Sequence, residues 1–411
     1  MGRKRLSSEP NKKRLERSKS SADFRSKRFG IYILGAGFSQ PAGLPLASDL
    51  WREIMRRGLE LTGRASFFRD DLETYIEYRK NTDGIDISKD NVNFEEFLAF
   101  LDIEHYLGLR GSDTWSIHGN EAQVVVKTLI GEILSEKMPS DDKIPEIYLQ
   151  FANILRPNDI VLTFNYDILL ERALELAGVP YRLFSDRHEE DPERPGRLQI
   201  ESRDEVVVFK LHGSIDWFDR SDYAWLEEER IRNGYGLRTP DLIFQRPEDF
   251  GTVPLLDGPH NPEDPLHHIY RVRDIKRLYK KRILFHATPS LLNPSSIKIL
   301  YSKMMSDFWW GLGRVGVLNF SMAVIGFSLP SQDEYARQVI YRLVQNYQST
   351  YWGNTTMMHR KTRLVLIDFP KSVEEKQEYR RKYRFVNWDR AVTYFNGFDE
   401  KAIKLLRPPK H

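Results

Sequence analysis

The sequence predicts an α/β fold: a Rossmann-like doubly wound parallel sheet carrying a large helical insertion. Three observations lead there. Short apolar runs bounded by Gly, Pro or polar residues recur along the chain. Segments with helical periodicity alternate with them. Glycines and unusual polar residues cluster just past the ends of the apolar runs, where open parallel sheets bind ligands.

Residues 1–28 hold eleven Lys and Arg against three acids and almost nothing to bury, so they are expected to form a basic disordered tail. From Gly30 the run Gly30-Ile31-Tyr32-Ile33-Leu34 predicts a buried strand that feeds Gly35-Ala36-Gly37-Phe38-Ser39. A helix is expected to follow from about Ser48, with Ser48-Asp49 as its cap. Residues 60–155 show helical patterns and few strand signals, with helices expected at Asp70–Arg79, Phe94–Leu107, Glu121–Lys137 and Ile144–Leu155. This stretch reads as an insertion within one Rossmann-like domain spanning 29–411. Alternation then resumes: a strand at Asp159–Thr163, a helix at Asp167–Ala177 closed by Gly178, and a strand at Val206–Leu211. Residues 185–204 and 219–280 are charged and Pro-rich and predict long excursions with little regular structure. Further strands are expected at Ile283–Phe285, Ser321–Ile325, Arg363–Asp368 and Ala391–Phe395, with helices at Ile297–Val315, Gln332–Gln345 and Glu374–Lys382.

Composition excludes several function classes. With no cysteine among 411 residues there is no disulfide framework, thiol nucleophile or cysteine-ligated metal site. The ten histidines form no HExxH pair, so no metal is expected. No run approaches twenty apolar residues and no signal-peptide pattern opens the chain, which predicts a cytoplasmic protein without a membrane span. The whole chain has 62 Lys and Arg and 59 Asp and Glu, and outside the tail the balance is 51 to 56. The mildly acidic body argues against gripping nucleic acid by bulk charge; any such contact would come through the tail or a partner.

Four strand ends carry candidate chemistry. Gly35–Pro45 offers close backbone approach for a pyrophosphate, although Gln40 stands where the GxGxxG pattern wants glycine. Thr163-Phe164-Asn165-Tyr166-Asp167 ends one strand; helix capping accounts for one of its polar residues but not for the cluster. Lys210-Leu211-His212-Gly213 places a histidine, a group able to accept a proton near neutral pH, beyond another. Gly326-Phe327-Ser328 follows a third. Asp368, ending a further strand, would hold a ribose hydroxyl or an adenine edge, or lie as a solvated strand end.

Taken in order, these blocks resemble the sirtuin-like family. Gly35–Pro45 is similar to its GAGxSxxxGxP loop, Thr163–Asp167 to its TxNxD motif, His212-Gly213 to its catalytic histidine–glycine pair and Gly326–Ser328 to its GxS turn. Deacylase sirtuins usually follow the loop's proline with Asp-Phe-Arg and carry a four-cysteine zinc module. Here the chain reads Leu46-Ala47-Ser48 and has no cysteine. The helical insertion and the wording of the motifs instead resemble bacterial sirtuin-like proteins of anti-phage defence. That resemblance implies an NAD⁺ glycohydrolase with NAD as substrate, a homo-oligomer, and a partner such as a HerA-type ATPase. It implies catalytic roles for Asn165, Asp167 and His212. It further implies that Gly35, Ala36, Gly37, Phe38, Ser39, Thr163, Gly326, Ser328 and Asp368 surround the nucleotide. A non-hydrolytic NAD or ADP-ribose-binding subunit and an NAD-dependent deacylase are the alternatives.

Overall fold

A computed structural model describes residues 29–62, 67–109, 119–221, 224, 228, 231–234, 242–280, 288–295, 308–309, 312–350, 352 and 361–407. The expected tail, the strand at Ile283–Phe285 and most of the helix at Ile297–Val315 lie outside the described residues.

Strand β1 (Gly30–Leu34) is buried along its whole length, as expected of a strand covered on both faces. Between it and β2 (Ile160–Thr163) come helices α1 (Ala47–Gly58), α2 (Phe67–Asp83), α3 (Phe94–Leu107), α4 (Glu121–Lys137) and α5 (Glu146–Ile154). The next elements are α6 (Leu169–Leu176), β3 (Tyr181–Arg182), β4 (Arg187–Glu190), β5 (Leu198–Glu201), β6 (Val206–Lys210), β7 (Trp217–Asp219), β8 (Thr252–Pro254) and β9 (Ile269–Val272). The chain closes with β10 (Ser321–Ile325), α7 (Glu334–Ser349), β11 (Leu364–Ile367), α8 (Val373–Lys382), β12 (Ala391–Tyr394) and α9 (Glu400–Leu406).

The main sheet has seven strands in the order β12-β11-β10-β1-β2-β6-β3. Every pairing in it is parallel, with Ile33 of β1 opposite Val324 of β10 and Leu162 of β2. The order reverses direction at β1, so the switch point lies between β1 and β10. The expected doubly wound sheet is therefore present.

The helices of the insertion form because their apolar faces meet one another and the sheet. α4 is the extreme case: every residue from Glu121 to Ser135 is buried, the mark of a helix enclosed on all sides. Its start is fixed by a reciprocal capping box between Asn120 and Gln123. Asn93 likewise caps α3 by accepting from the amides of Glu95 and Glu96. Trp51 and Phe68 pack in this core with Phe94 and Phe97.

Three features depart from the sequence expectation. Residues 185–204 contain the hairpin β4–β5, and residues 219–280 contain β8 and β9, which pair with β7 in the antiparallel sheet β7-β9-β8. The strands of the hairpin are charged and partly exposed and those of the small sheet are only three or four residues long, so no alternating pattern marks them; Arg187, ion-paired to Glu205 at 2.8 Å and to Asp257 at 2.5 Å, anchors the hairpin instead. The third is α9, whose start is a side-chain cap from Asp399. The two-residue edge strand β3 is likewise too short to carry a periodicity.

At the switch point two loops touch backbone to backbone. The Gly35 amide donates to Ile325 O at 3.0 Å and the Gly37 amide to Gly326 O at 2.9 Å. A Cβ on Gly35 would lie 2.5 Å from Gly326 O, and one on Gly326 would lie 2.4 Å from the Gly37 backbone. Gly326 also has φ +60°, in the left-handed region. Gly326→Ala should therefore cost about 2–4 kcal/mol, combining left-handed strain with overpacking. Gly43→Ala is the control: φ is +86° but no described atom lies within 4 Å of the added carbon, so about 1 kcal/mol is expected. Denaturant unfolding of the two variants measures the difference, and equal losses would contradict the backbone-contact reading.

Candidate active site

Beyond the carboxyl ends of β1, β2, β6 and β10 lies a crevice of about 330 Å³. Its floor is Gly35, Ala36 and Gly37 with Gly326, Phe327 and Ser328; one wall is Phe164–Asp167 and His212. Phe94 and Glu95 of α3 and Leu134 of α4 close the side opposite. A second cavity of about 690 Å³ shares Gly37, Pro45, Leu46, Gly326 and Asp368 with the first, and runs toward Phe369, Lys371 and Asn396. The two cavities thus meet at the switch point.

Asn165 is held from behind. Its Nδ2 donates to Gly35 O at 3.0 Å and to Ser39 Oγ at 3.1 Å, and its backbone amide donates to Thr163 Oγ1 at 3.1 Å. With both amide hydrogens engaged, Oδ1 is the atom it has to offer the crevice. Ser39 and Thr163 are almost fully buried and act on the site through Asn165. Asp167 uses Oδ1 to accept from the Leu169 amide at 3.0 Å, which starts α6. Burial pushes its carboxyl above the usual range, and the nearby Lys210 ammonium opposes that shift. Lys210, fully buried, donates to Asp167 O and to Glu171 at 2.7 Å, tying the turn after β2 to the end of β6.

His212 follows β6 on a turn clamped by the segment 290–295. Leu292 donates its amide to His212 O at 2.9 Å and Ser214 donates to Ser290 O at 3.2 Å. The ring packs edge-on to Phe164 at 5.1 Å, with Tyr166 and Trp309 at 6.0 and 6.5 Å. Phe164 in turn stacks on Phe327 at 4.3 Å. His212 Nε2 lies 2.6 Å from Asp333 Oδ2. The other carboxylate oxygen of Asp333 caps α7 by accepting from the Ala336 amide at 3.0 Å. An ionised Asp333 would accept from Nε2, which would put the neutral ring's proton there and its lone pair on Nδ1. A histidine oriented by a buried acid is the recurring construction of a general base.

Asn165, Asp167, His212, Gly35, Ala36, Gly37, Gly326, Ser328 and Asp368 all line the crevice. Phe38 does not: it is buried in an aromatic cluster with Tyr148, Phe151 and Phe398, and its carbonyl accepts from Tyr148 at 2.8 Å. The amides of Gly35, Gly37 and Phe38 all donate to protein carbonyls. These glycines are explained by the contact between the two loops. Among the described residues no group of three or more His, Cys, Asp or Glu is placed to hold a metal ion.

Two site residues had no sequence signal of their own. Asp333 falls inside the helix expected at Gln332–Gln345, and only the fold brings it to His212, 121 residues away. Glu95 sits in the first turn of a helix whose pattern speaks of core packing. Desolvation pushes its carboxyl up to about 7; Lys382 opposes the shift while Asp333 and Glu96 add to it.

Residues 159–243, from the amino end of β2 through His212, match the model of the SIR2-like domain. No curated protein matches the chain. Among solved structures, one described as the structural basis for the mechanism and regulation of Sir2 enzymes is 14% identical. It covers 95% of this chain and 98% of its own, with a TM-score of 0.33. A Sir2 complex with a p53 peptide and NAD⁺ is 12% identical over 95% of this chain and 97% of that one, with a TM-score of 0.31. Sir2Tm bound to a propionylated peptide is 13% identical over 95% of each chain, with a TM-score of 0.27. The chain is thus SIR2-like in sequence across the segment that carries Asn165 and His212.

Two outcomes test this geometry. Asparagine caps helices as well as aspartate but carries no charge. Asp333→Asn should therefore leave the melting temperature within a few degrees of wild type while reducing activity at the crevice at least ~100-fold. Asp333→Ala should add a loss of about 1 kcal/mol from the missing cap. Glu95 has a raised folded-state value, so its ionisation destabilises the fold increasingly as pH rises from about 4.5 to about 7. Glu95→Gln removes that penalty: its melting temperature should exceed wild type at pH 8 and converge with it near pH 4. A constant offset across that range would refute the assignment.

Proposed function

We propose that the protein is an NAD⁺ glycohydrolase, releasing nicotinamide and ADP-ribose. The observation that carries this reading is the His212–Asp333 pair set on the same wall as Asn165 in a crevice at the switch point between β1 and β10. The paired cavities support a dinucleotide lying across the β1 and β10 loops. Its nicotinamide end would face Phe164, Asn165 and His212, and its adenosine would reach toward Asp368.

The chemistry asks little of an acid. The bond between ribose C1′ and the nicotinamide nitrogen breaks, and the electron pair goes to the ring, which leaves neutral. A water oxygen bonds to C1′ and its proton passes to His212. The protein must stabilise positive charge developing on the sugar and hold the water in line. Asn165 Oδ1 and the Asp167 carboxyl lie on the wall where that charge would develop. Closure by Phe94, Glu95 and Leu134 limits entry of further water.

A role as effector of anti-phage defence, with a HerA-type ATPase or other partner and a homo-oligomeric assembly, belongs to the same proposal. It is supported by the motif wording and the helical insertion. A non-hydrolytic NAD or ADP-ribose-binding subunit is the second reading. The protein, alone and with the product of a neighbouring gene, is incubated with NAD⁺ and the mixture chromatographed. Nicotinamide and ADP-ribose should appear in equal amounts, and His212→Ala or Asn165→Ala should slow their release by at least ~100-fold. Tight binding with NAD⁺ intact would favour the second reading, and equal rates for His212→Ala and wild type would remove His212 from the chemistry.

A further inference from the structure

A separate cavity of about 540 Å³ opens between the amino-terminal half of α7 and the carboxyl end of α8. Arg337 faces it from α7; Arg381, Lys382 and Arg384 face it from the end of α8 and the turn beyond, against a single acid, Glu334. Basic residues at a helix end are favoured by the helix dipole, which accounts for Arg381 and Lys382. It does not account for Arg337, which comes from the opposite side. Two of the cations hold only exposed ion pairs, Arg337 with Glu334 at 3.5 Å and Arg381 with Glu378. Such pairs contribute little and are readily exchanged for a phosphate.

The remaining wall is aromatic. Tyr341 and Phe385 meet edge to face at 5.5 Å, and Tyr341 is 41% exposed. Cations on one side and an exposed aromatic ring on the other suit a ligand with a phosphate chain and a flat base. The cleft is open to solvent, and its volume lies within the range of small-molecule sites, enough for one nucleotide and too small for a duplex. The floor is Leu329, a buried residue with φ +52°. It lies between Ser328 and Pro330, both of which line the crevice, so an occupant would touch the same loop from its other side.

We propose that this cavity is a second nucleotide site, taking a nucleoside polyphosphate with its phosphates on Arg337, Arg381 and Arg384 and its base against Tyr341 and Phe385. Calorimetric titration of the full chain with ATP in the presence of EDTA tests it. ATP should bind, and saturating NAD⁺ should not displace it. The double variant Arg381→Glu, Arg384→Glu changes exposed side chains, and should weaken ATP at least tenfold with an unchanged melting temperature. Tyr341→Ala should weaken ATP while leaving the affinity for inorganic triphosphate unchanged. No binding at millimolar ATP, displacement of ATP by NAD⁺, or an unchanged affinity in the double variant would overturn the proposal. The charge-reversal measurement decides the matter whether or not NAD⁺ is a substrate.

Discussion

The contact between the Gly35–Gly37 loop and Gly326 is the constraint on which the rest of the site depends. A doubly wound sheet runs outward in both directions from its first strand, and its two halves share only the seam between β1 and β10. At that seam the chain must leave both strands at once without filling the space above them. Backbone packed on backbone, sealed by the Gly37 to Gly326 hydrogen bond, is the thinnest solution available. Everything that lines the crevice is positioned relative to that floor. Asn165 is pinned to Gly35 O, and residues 328–333 lead from Gly326 to the acid beneath His212.

Above this floor the polar groups hold each other in place through buried charges and hydrogen bonds. Lys210 binds the turn of Asp167 and the carboxylate of Glu171. Arg271 of β9 reaches Asp216 at 3.1 Å, which links the small antiparallel sheet to the loop after His212. Such pairs add little net stability against an apolar replacement, but breaking one partner is costly. They therefore act here as fixed geometry: the side chains that face the crevice cannot relax away from it without orphaning a buried charge. Preorganisation of that kind lets a site stabilise developing charge without rearranging when the charge appears.

Much of this was legible before the fold was known, and the boundary has a physical basis. Buried parallel strands are continuous apolar runs, so β1, β2, β6, β10 and β11 stood out, as did the long periodic helices α3 and α4, whose limits match the pattern. The residues at the ends of those strands follow directly, which is why the sequence points to Asn165, His212 and Gly326, all of which line the crevice. Phe38 was grouped with the loop by adjacency, but a helical turn after Gly35 swings its ring into the core. Asp333 and Glu95 were missed because nothing local distinguishes a cap, or a first-turn acid, from one aimed at a histidine far away in sequence. The hairpin β4–β5 and the sheet β7-β9-β8 were invisible because their strands are held by ion pairs and by neighbours distant in the chain, not by an alternation of their own.

Asp333 both starts a helix and orients His212, and it lies late in the chain. A ribosome releases Asn165 and His212 well before it releases Gly326 and Asp333. Until β10 has emerged and α7 has nucleated, the histidine has no acid beneath it and the crevice has only half a floor. A nascent chain that stops short of α7 would thus lack the assembled crevice, and the two halves of the site come together only once both sides of the sheet have been made.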